Sequence, residues 1–454
     1  MRAQPASTGA GPNRAPPFAT PMLEAVVNDD LAYWRECRDC GLFQRLPEIP
    51  DGEAAICARC DAMLRRTASH SILFARINAV ASAILLALAL TLPLVALHVL
   101  GRRAQSTVFS GPQVLRERGL GLLALVVLFA VVVMPSLKVF VELTVLFGME
   151  AAHPPRWLAW LFGWLEHISP WAMIEVYLLG GVVAYTRLEA LAAVDVGLAA
   201  AALGGAMLTT VAVDATLDRE AIWQALSRTP HPQQERPGAA GSTRAGGRLI
   251  GCHECRHVAR AEEGERCPRC HHRLAVRRGS LGSVWALLVA AAVLYVPANV
   301  LPVMTIRRLG GGEPTTILNG VVELAHAHLW PLAVLVLLAS IIVPIFKLVS
   351  LVAMLTMTHR RSPAWLRGRT RLFRLVKFVG RWSMIDIFML SVLVGVVRFG
   401  TIASVLPGLG AAAFCAVVLV TMAATEVFDP RFMWDQAGRE EVAVERTEVA
   451  HAGA

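Results

Sequence analysis

Apolar residues in this chain gather into eight runs separated by short polar stretches, at 77–100, 120–148, 168–187 and 190–213, and again at 281–303, 329–357, 380–399 and 402–425. Most reach the roughly 20 residues that an α-helix needs to cross a bilayer. The third and fourth runs nearly merge, because only a short turn near Arg187 and Glu189 divides them. A polar segment carrying four cysteines precedes the first run, and another precedes the fifth. The pattern predicts an all-α polytopic membrane protein of two homologous four-helix transmembrane modules, each behind a small head. An even number of spans in each module returns both heads to one side of the membrane.

The duplication is visible residue by residue. Thr107-Val108-Phe109-Ser110-Gly111 answers Thr316-Ile317-Leu318-Asn319-Gly320, Pro93 answers Pro302, and Pro135-Ser136-Leu137-Lys138 answers Pro344-Ile345-Phe346-Lys347, all 209 residues apart. Trp171-Ala172-Met173-Ile174-Glu175 returns as Trp382-Ser383-Met384-Ile385-Asp386, and Arg187 as Arg398, at an offset of 211. The closing segments match as well, with Leu217-Asp218 and Trp223 standing where Phe428-Asp429 and Trp434 stand. A repeat of this length marks two large modules and not a solenoid of short units.

Composition confirms the class and adds a side. Hydrophobic residues make up 55% of the chain, charged residues only 17%, and mean hydropathy is +0.53, too apolar for a soluble protein of 454 residues. The net charge of +9 does not point to nucleic acid, because the arginines cluster beside apolar runs, where they anchor and orient helices. No signal peptide is expected, since the first apolar run begins near Ile77 behind the cysteine-rich head. The loop after the sixth run holds Arg360, Arg361, Arg367, Arg369, Arg371, Arg374 and Lys377, against Arg307 and Arg308 in the loop before it. Positive loops stay inside, which places both heads and both termini in the cytoplasm. Arg102, Arg103, Arg116 and Arg118 in the first module argue the other way, against Arg156 alone, but that bias is smaller.

The cysteines come as paired knuckles. Cys37-x-x-Cys40 with Cys57-x-x-Cys60, and Cys252-x-x-Cys255 with Cys267-x-x-Cys270, are separated by loops of 16 and 11 residues. Two such knuckles bring four thiolates to one tetrahedral ion, the zinc-ribbon pattern, and thiolate sites suit a reducing compartment. Two structural Zn²⁺ ions are expected; iron in a four-thiolate tetrahedron is the rival, and a pair of redox dithiols is a third reading. Four thiolates leave no open position for catalysis, so no enzyme activity is expected. His253, His257, His271 and His272 read as surface residues beside a site already complete, and Cys415 as a small apolar residue of the last span. The organisation is then a disordered tail at 1–28, zinc ribbon 1 at 29–70, module 1 at 71–227, a linker at 228–248, zinc ribbon 2 at 249–276, module 2 at 277–434 and a second disordered tail at 435–454.

Repeated charges inside the apolar runs are the remaining chemistry. Lys138 and Lys347 fall in the second and sixth runs, where a charge at mid-helix costs about 2.5–3.5 kcal/mol. Counted along the helices at about 1.5 Å per residue, Lys138 and Glu175 reach similar depths, as do Lys347 and Asp386. A polar pocket in each module, organised by a lysine and an acid, is one reading. A structural ion pair or a lysine snorkelling to the interface is the other. Pro135 and Pro344 should kink their helices and free a carbonyl nearby. Arg187 and Arg398 read as anchors at the outer helix ends, and Trp157, Trp160, Trp171 and Trp382 as interface residues. The repeated Thr-[Val/Ile]-[Phe/Leu]-[Ser/Asn]-Gly motif suggests a short strand or hairpin in each outer loop, or an edge on which an extramembrane partner docks.

Taken together, the doubled knuckles, the Pro-x-x-Lys element, Trp-[Ala/Ser]-Met-Ile-[Glu/Asp] and the closing Phe428-Asp429-Pro430-Arg431 with Trp434 resemble the paraquat-inducible protein A family of Gram-negative inner-membrane proteins. The first copy departs from the motif at its end, where Leu217-Asp218-Arg219-Glu220 stands, so a role of that motif would belong to one module. The resemblance implies a partner in the periplasm, a mammalian-cell-entry domain protein that forms a tunnel for lipid, with this chain loading or receiving phospholipid at its base. The sequence has no Walker A motif of the G-x-x-x-x-G-K-[ST] type to supply energy. Two other classes stay open: a metal- or redox-responsive membrane sensor, and a secondary transporter of a small solute that uses the lysine and acid pairs.

Overall fold

The structure is a computed structural model that describes residues 33–67, 72–99, 102–151, 154–189, 193–227, 248–277, 279–308, 311–396, 403–438, 443–444 and 449–450. The tail at 1–28 and nearly all of the linker lie outside these residues. The first head consists of two hairpins, β1 (Trp34–Glu36) with β2 (Phe43–Arg45) and β3 (Ala54–Ile56) with β4 (Met63–Arg66). Then follow α1 (Ile72–Thr91), β5 (Val95–Val99), β6 (Arg102–Ser106), α2 (Ser110–Glu117), α3 (Gly121–Gly148), α4 (Arg156–Ile168), α5 (Ile174–Glu189), β7 (Ala193–Val196), α6 (Leu198–Thr216) and α7 (Arg219–Ser227). The second head has the hairpin β8 (Arg248–Gly251) with β9 (Val258–Ala261), and a single antiparallel bridge joins Arg266 to Arg273 around its second knuckle. The series then recurs as α8 (Leu281–Val300), β10 (Met304–Arg308), β11 (Gly311–Thr315), α9 (Ile317–His326), α10 (Trp330–His359), α11 (Leu366–Gly380), α12 (Ile385–Val396), β12 (Ala403–Pro407), α13 (Leu409–Val427) and α14 (Arg431–Asp435). Two short strands, β13 (Ala443–Val444) and β14 (Val449–Ala450), pair with β2 and β3, so part of the C-terminal segment expected to be disordered extends the sheets of the first head.

Eight helical stretches among the described residues are long and apolar enough to cross a membrane. Their limits differ from the apolar runs in instructive ways. The third stretch of each half begins early, at Arg156 and Leu366, because amphipathic helices α4 and α11 lead into it. The first ends early, at Thr91, because Pro93 cannot continue the helix, and the residues after it form a strand. The strands after α1 and α8 each join a three-stranded antiparallel sheet, in the order β6-β5-β7 and β11-β10-β12. The hairpins thus lie just upstream of the repeated Thr-to-Gly motif. The motif itself opens a helix: the Thr316 side chain accepts from the Asn319 backbone N–H at 3.3 Å, and Ser110 Oγ accepts from the Thr107 N–H at 2.9 Å. In the second copy Thr316 is thus the N-cap, and in the first the Ser110 hydroxyl closes the turn that leads into the helix.

Proline shapes the long helices, though by widening rather than by a simple kink. Phe129–Val133 and Leu338–Ile342, directly before Met134-Pro135 and Val343-Pro344, are π-helical. A proline has no N–H to donate to the preceding turn, so the ladder slips by one residue there. Freed carbonyls find new donors: Ala130 O accepts from the Met173 N–H at 3.3 Å, and Ile341 O from the Tyr295 hydroxyl at 3.4 Å.

The two halves of the chain meet on α12, every residue of which is buried. Tyr177 on α5 meets Phe388 edge to face at 5.7 Å between centroids, and a Cβ at Gly180 would come within 3.0 Å of Ile385 O. At the start of α2 a Cβ on Gly111 would lie 2.4 Å from Ser391 O, closer than backbone atoms tolerate. Gly111→Ala is therefore expected to destabilise the protein by about 1–3 kcal/mol. Thermal unfolding of the purified protein in detergent measures it, and an unchanged midpoint would mean that α2 and α12 do not touch there.

Candidate functional site

Each head gathers four sulfurs. Cys37, Cys40, Cys57 and Cys60 form one cluster and Cys252, Cys255, Cys267 and Cys270 the other, with all ligand atoms of a cluster within 4.8 Å of one another. Sulfur separations of 3.5 and 3.6 Å in the first cluster, and 3.5 Å twice in the second, are far longer than the roughly 2.05 Å of a disulfide. They approach the edge of a tetrahedron with metal–sulfur bonds of about 2.3 Å, so the set fits zinc. All four knuckles share one construction. The residue after the second cysteine is left-handed (Gly41, Asp61, Arg256, His271), and its N–H returns to the carbonyl of the first cysteine. Only one of the four is glycine, so the motif tolerates the strain of the other three. Gln44, fully buried, donates to Cys57 Sγ at 3.0 Å and accepts from the Ala58 N–H at 3.1 Å, which fixes the second knuckle. The neighbouring sulfurs stabilise the Cys57 and Cys267 thiolates and hold both well below the ordinary thiol value. His271 and His272 are exposed as expected, whereas His253 is half-buried and its ring nitrogen lies 2.9 Å from Ala275 O.

The heads dock crosswise. The first head sits on the C-terminal half, sharing a core with α10, α11, α13 and α14, and the second shares one with α3, α4 and α7 of the N-terminal half. The basic loop after the sixth apolar run supplies much of the first contact. Arg374 donates to Cys60 O at 2.9 Å and to Cys60 Sγ at 3.4 Å and pairs with Asp39; Arg367 donates to Arg59 O at 2.7 Å; Arg371 pairs with Asp61. Cations packed on a knuckle offset the charge of a four-thiolate site. Arg59 in turn lies over the Trp434 ring, 4.4 Å from its centroid.

Between the heads, consecutive residues of β1 take opposite directions. Arg35 pairs with Glu220 of α7 at 2.9 Å, and Glu36 pairs with Arg431 of α14 at 2.7 Å. Arg431 also holds Asp429 and touches His253, and Glu220 also holds Arg269. The departure Leu217-Asp218-Arg219-Glu220 is thus not a lost motif: Glu220 occupies the repeat position of Arg431 with the sign reversed, against a reversed partner. Burial pushes the Glu36 carboxyl up, with Arg431 and Arg277 working against that, and burial lowers Arg35 despite Glu220.

Within the spans the expected pairs are rearranged. Lys138 forms its short ion pair with Asp214, at 2.6 Å, and a longer one with Glu142, at 3.8 Å, while Glu175 pairs with Arg381 of the other half at 3.3 Å. Lys138 and Glu175 nevertheless line one cavity of about 200 Å³, together with Asp214 and Arg381. In the C-terminal half, Lys347 and Asp386 are both buried and separately bonded, Lys347 to Thr421 at 3.0 Å and Asp386 to Ser340. Arg187 stands in the last turn of α5, at the helix end expected for an anchor, but it reaches the other half, where a Cβ at Gly320 would lie 3.6 Å from it. Arg398 lies outside the described residues. Trp157 and Trp160 are exposed on α4, as interface residues should be, while Trp171 packs edge to face on Phe129.

A family model described as paraquat-inducible protein A matches residues 76–227 and again 281–438. The chain belongs to this family. It is 32% identical over 418 residues to the intermembrane transport protein PqiA of Escherichia coli, covering 89% of this chain and 96% of that one. It is 31% identical over 403 residues to the lipophilic envelope-spanning tunnel protein A of Escherichia coli, covering 88% and 91%. A probable intermembrane transport protein of Haemophilus influenzae is 27% identical over 429 residues, covering 89% and 96%. No solved structure matches the chain. The family match falls on the helical parts of both halves and leaves out both heads. Sequence reasoning missed Asp214, Arg381, Gln44, Glu36 and Glu220. Glu220 stands in the closing segment that the repeat had already marked, and Asp214 lies in the helix just before it.

Proposed function

We propose that this protein is an inner-membrane component of an intermembrane lipid-transport system, loading or receiving phospholipid at the base of a tunnel of mammalian-cell-entry domain protein in the periplasm. In this reading two homologous four-span modules lie in the same orientation, with both heads and both termini in the cytoplasm. Each head holds one structural zinc ion, and the protein is not an enzyme. The observation that carries the reading is similarity along about nine-tenths of the chain to proteins named for intermembrane transport and an envelope-spanning tunnel. The cavity of Lys138, Glu175, Asp214 and Arg381 supports it by offering polar groups to a ligand at the junction of the halves. Lys347 and Asp386 supply a second, closed polar place, both of them buried. Purification from the native membrane in mild detergent, with mass spectrometry of what accompanies the protein, tests the reading. A mammalian-cell-entry protein and bound phospholipid are expected; a lone chain without enriched lipid overturns it.

A further inference from the structure

The charged residues that line the cavity at the junction of the halves, Lys138 and Arg381 with Asp214 and Glu175, balance, and we infer that it takes the headgroup of a zwitterionic phospholipid, phosphate and ammonium together. The inference rests on the lipid reading above and names the class of lipid.

Depth comes first. Asp214 lies two residues before the end of α6 and Glu175 is the second residue of α5, so both carboxylates stand within about 3 Å of helix ends on the side of the heads. Helix α3 has 28 residues, about 42 Å, against a hydrocarbon core of about 30 Å. Val141 and Val145 near its end already pack in the core of the second head, so Lys138 sits where the helix leaves the hydrocarbon. The four charges are therefore at the level of headgroups and not at mid-bilayer.

Their balance selects the ligand. Lys138 pairs with Asp214 and Arg381 with Glu175, and the side chains of Asp214, Arg381 and Glu175 are 41%, 34% and 32% exposed, whereas Glu142, 3.8 Å from Lys138, is fully buried behind it and does not line the cavity. A simple anion that drew the two cations together would leave two carboxylates without partners, and a simple cation would strand Lys138 and Arg381. Stranding a charge in a partly buried site is costly. A zwitterion exchanges each ion pair for two new ones and strands nothing, and so excludes singly charged competitors by the same groups that admit it. The cavity, at about 200 Å³, is below the roughly 300–1,000 Å³ of sites that enclose a drug-sized ligand, so it admits a headgroup and leaves the acyl chains outside. An apolar rim of Pro135, Val139, Met207 and Val211 offers them a path, with Val211 59% exposed on the bilayer side. The C-terminal half does not repeat the arrangement: Thr425 stands at the place of Asp214, and Asp386, at the place of Glu175, is buried against Ser340.

Native mass spectrometry of the full-length protein in detergent, titrated with dihexanoyl-phosphatidylethanolamine, dihexanoyl-phosphatidylglycerol and soluble phosphoethanolamine, tests the proposal. Phosphatidylethanolamine is expected to bind at least about tenfold more tightly than either of the others. Glu175→Gln should erase that preference by removing an ammonium partner, and Arg381→Gln should weaken both lipids. Metal content of two ions per chain checks the fold of each variant, and Asp214→Asn replaces Glu175→Gln if the latter loses metal. Equal binding of the two lipids, or a preference that survives both substitutions, overturns the site; binding of phosphoethanolamine as tight as that of the lipid reassigns it to a soluble ligand and overturns it too. Headgroup preference without a tunnel partner or lipid movement would sink the transport reading alone, and movement of both lipids without preference would sink the site alone.

Discussion

Replacing Cys57 by Ser should reduce the metal content of the protein from two ions per chain to one and open the C-terminal half, not the N-terminal half that follows the head in sequence. The first head has strands of three or four residues and little apolar core of its own, so an ion held by its four sulfurs would be its main source of order. Apparent binding free energies of structural zinc run to about 10–16 kcal/mol, more than such a head gains in any other way. Cys57 is also the sulfur that Gln44 holds, so its loss frees the buried amide as well. Once the head unfolds, the surface it covers is exposed: Leu355, Phe373, Phe428 and Trp434, with Arg367, Arg371 and Arg374 losing their acceptors. Elemental analysis and limited proteolysis read both effects. New cleavage should appear in α11 or after α13. Cys267→Ser should instead expose α4 and α7, where the second head docks. Two ions retained, or cleavage confined to the half next in sequence, would contradict the assignment of ligands or the crosswise docking.

That crossing was not legible in the sequence, whereas the ligands were. A C-x-x-C spacing fixes which sulfurs converge, because the knuckle turn is local. Which surface a head covers depends on pairings hundreds of residues apart, such as Arg374 with Asp39, and no periodicity reports them. The arginines of α11 were readable as an inside signal, and heads and basic loop do lie on one side. Their main partners, however, are carbonyls and carboxylates of the first head. The lysine pairs failed for a related reason. Counting residues along a helix gives depth but not azimuth, and at the depth of Lys138 two carboxylates were available. Asp214 took the ion pair from α6, one residue beyond the limit set by the apolar run. Hydrophobicity had marked where that run became polar, and the helix continued to Thr216.

Arg431→Ala should cost about 3–5 kcal/mol, the largest loss expected of any single ion-pair substitution here. The Arg431 side chain is 5% exposed and holds three groups: Asp429 with Nε at 3.0 Å and Nη2 at 2.7 Å, Glu36 with Nη1 at 2.7 Å, and the His253 ring at 3.3 Å. Removing it leaves two carboxylates, 8% and 6% exposed, with Arg277 at 3.4 Å as the cation nearest Glu36. Burial holds the guanidinium down, but Asp429 and Glu36 keep its proton affinity above the ordinary arginine value, so it stays charged at every accessible pH. Arg431→Lys should recover only part of the loss, since an ammonium cannot span Asp429 and Glu36 as a planar fork does. The sharper variant is Arg431→Glu, which places at this position the residue that its repeat, Glu220, carries naturally. At α7 that glutamate faces Arg35 and Arg269, while at α14 it would face Glu36 and Asp429, so it should unfold the junction more readily than alanine does. Thermal midpoints of the three variants in detergent give the order. If Arg431→Glu is no worse than Arg431→Ala, β1 does not clamp the two closing helices by opposite charge, and the reversed sign of the repeat has another cause.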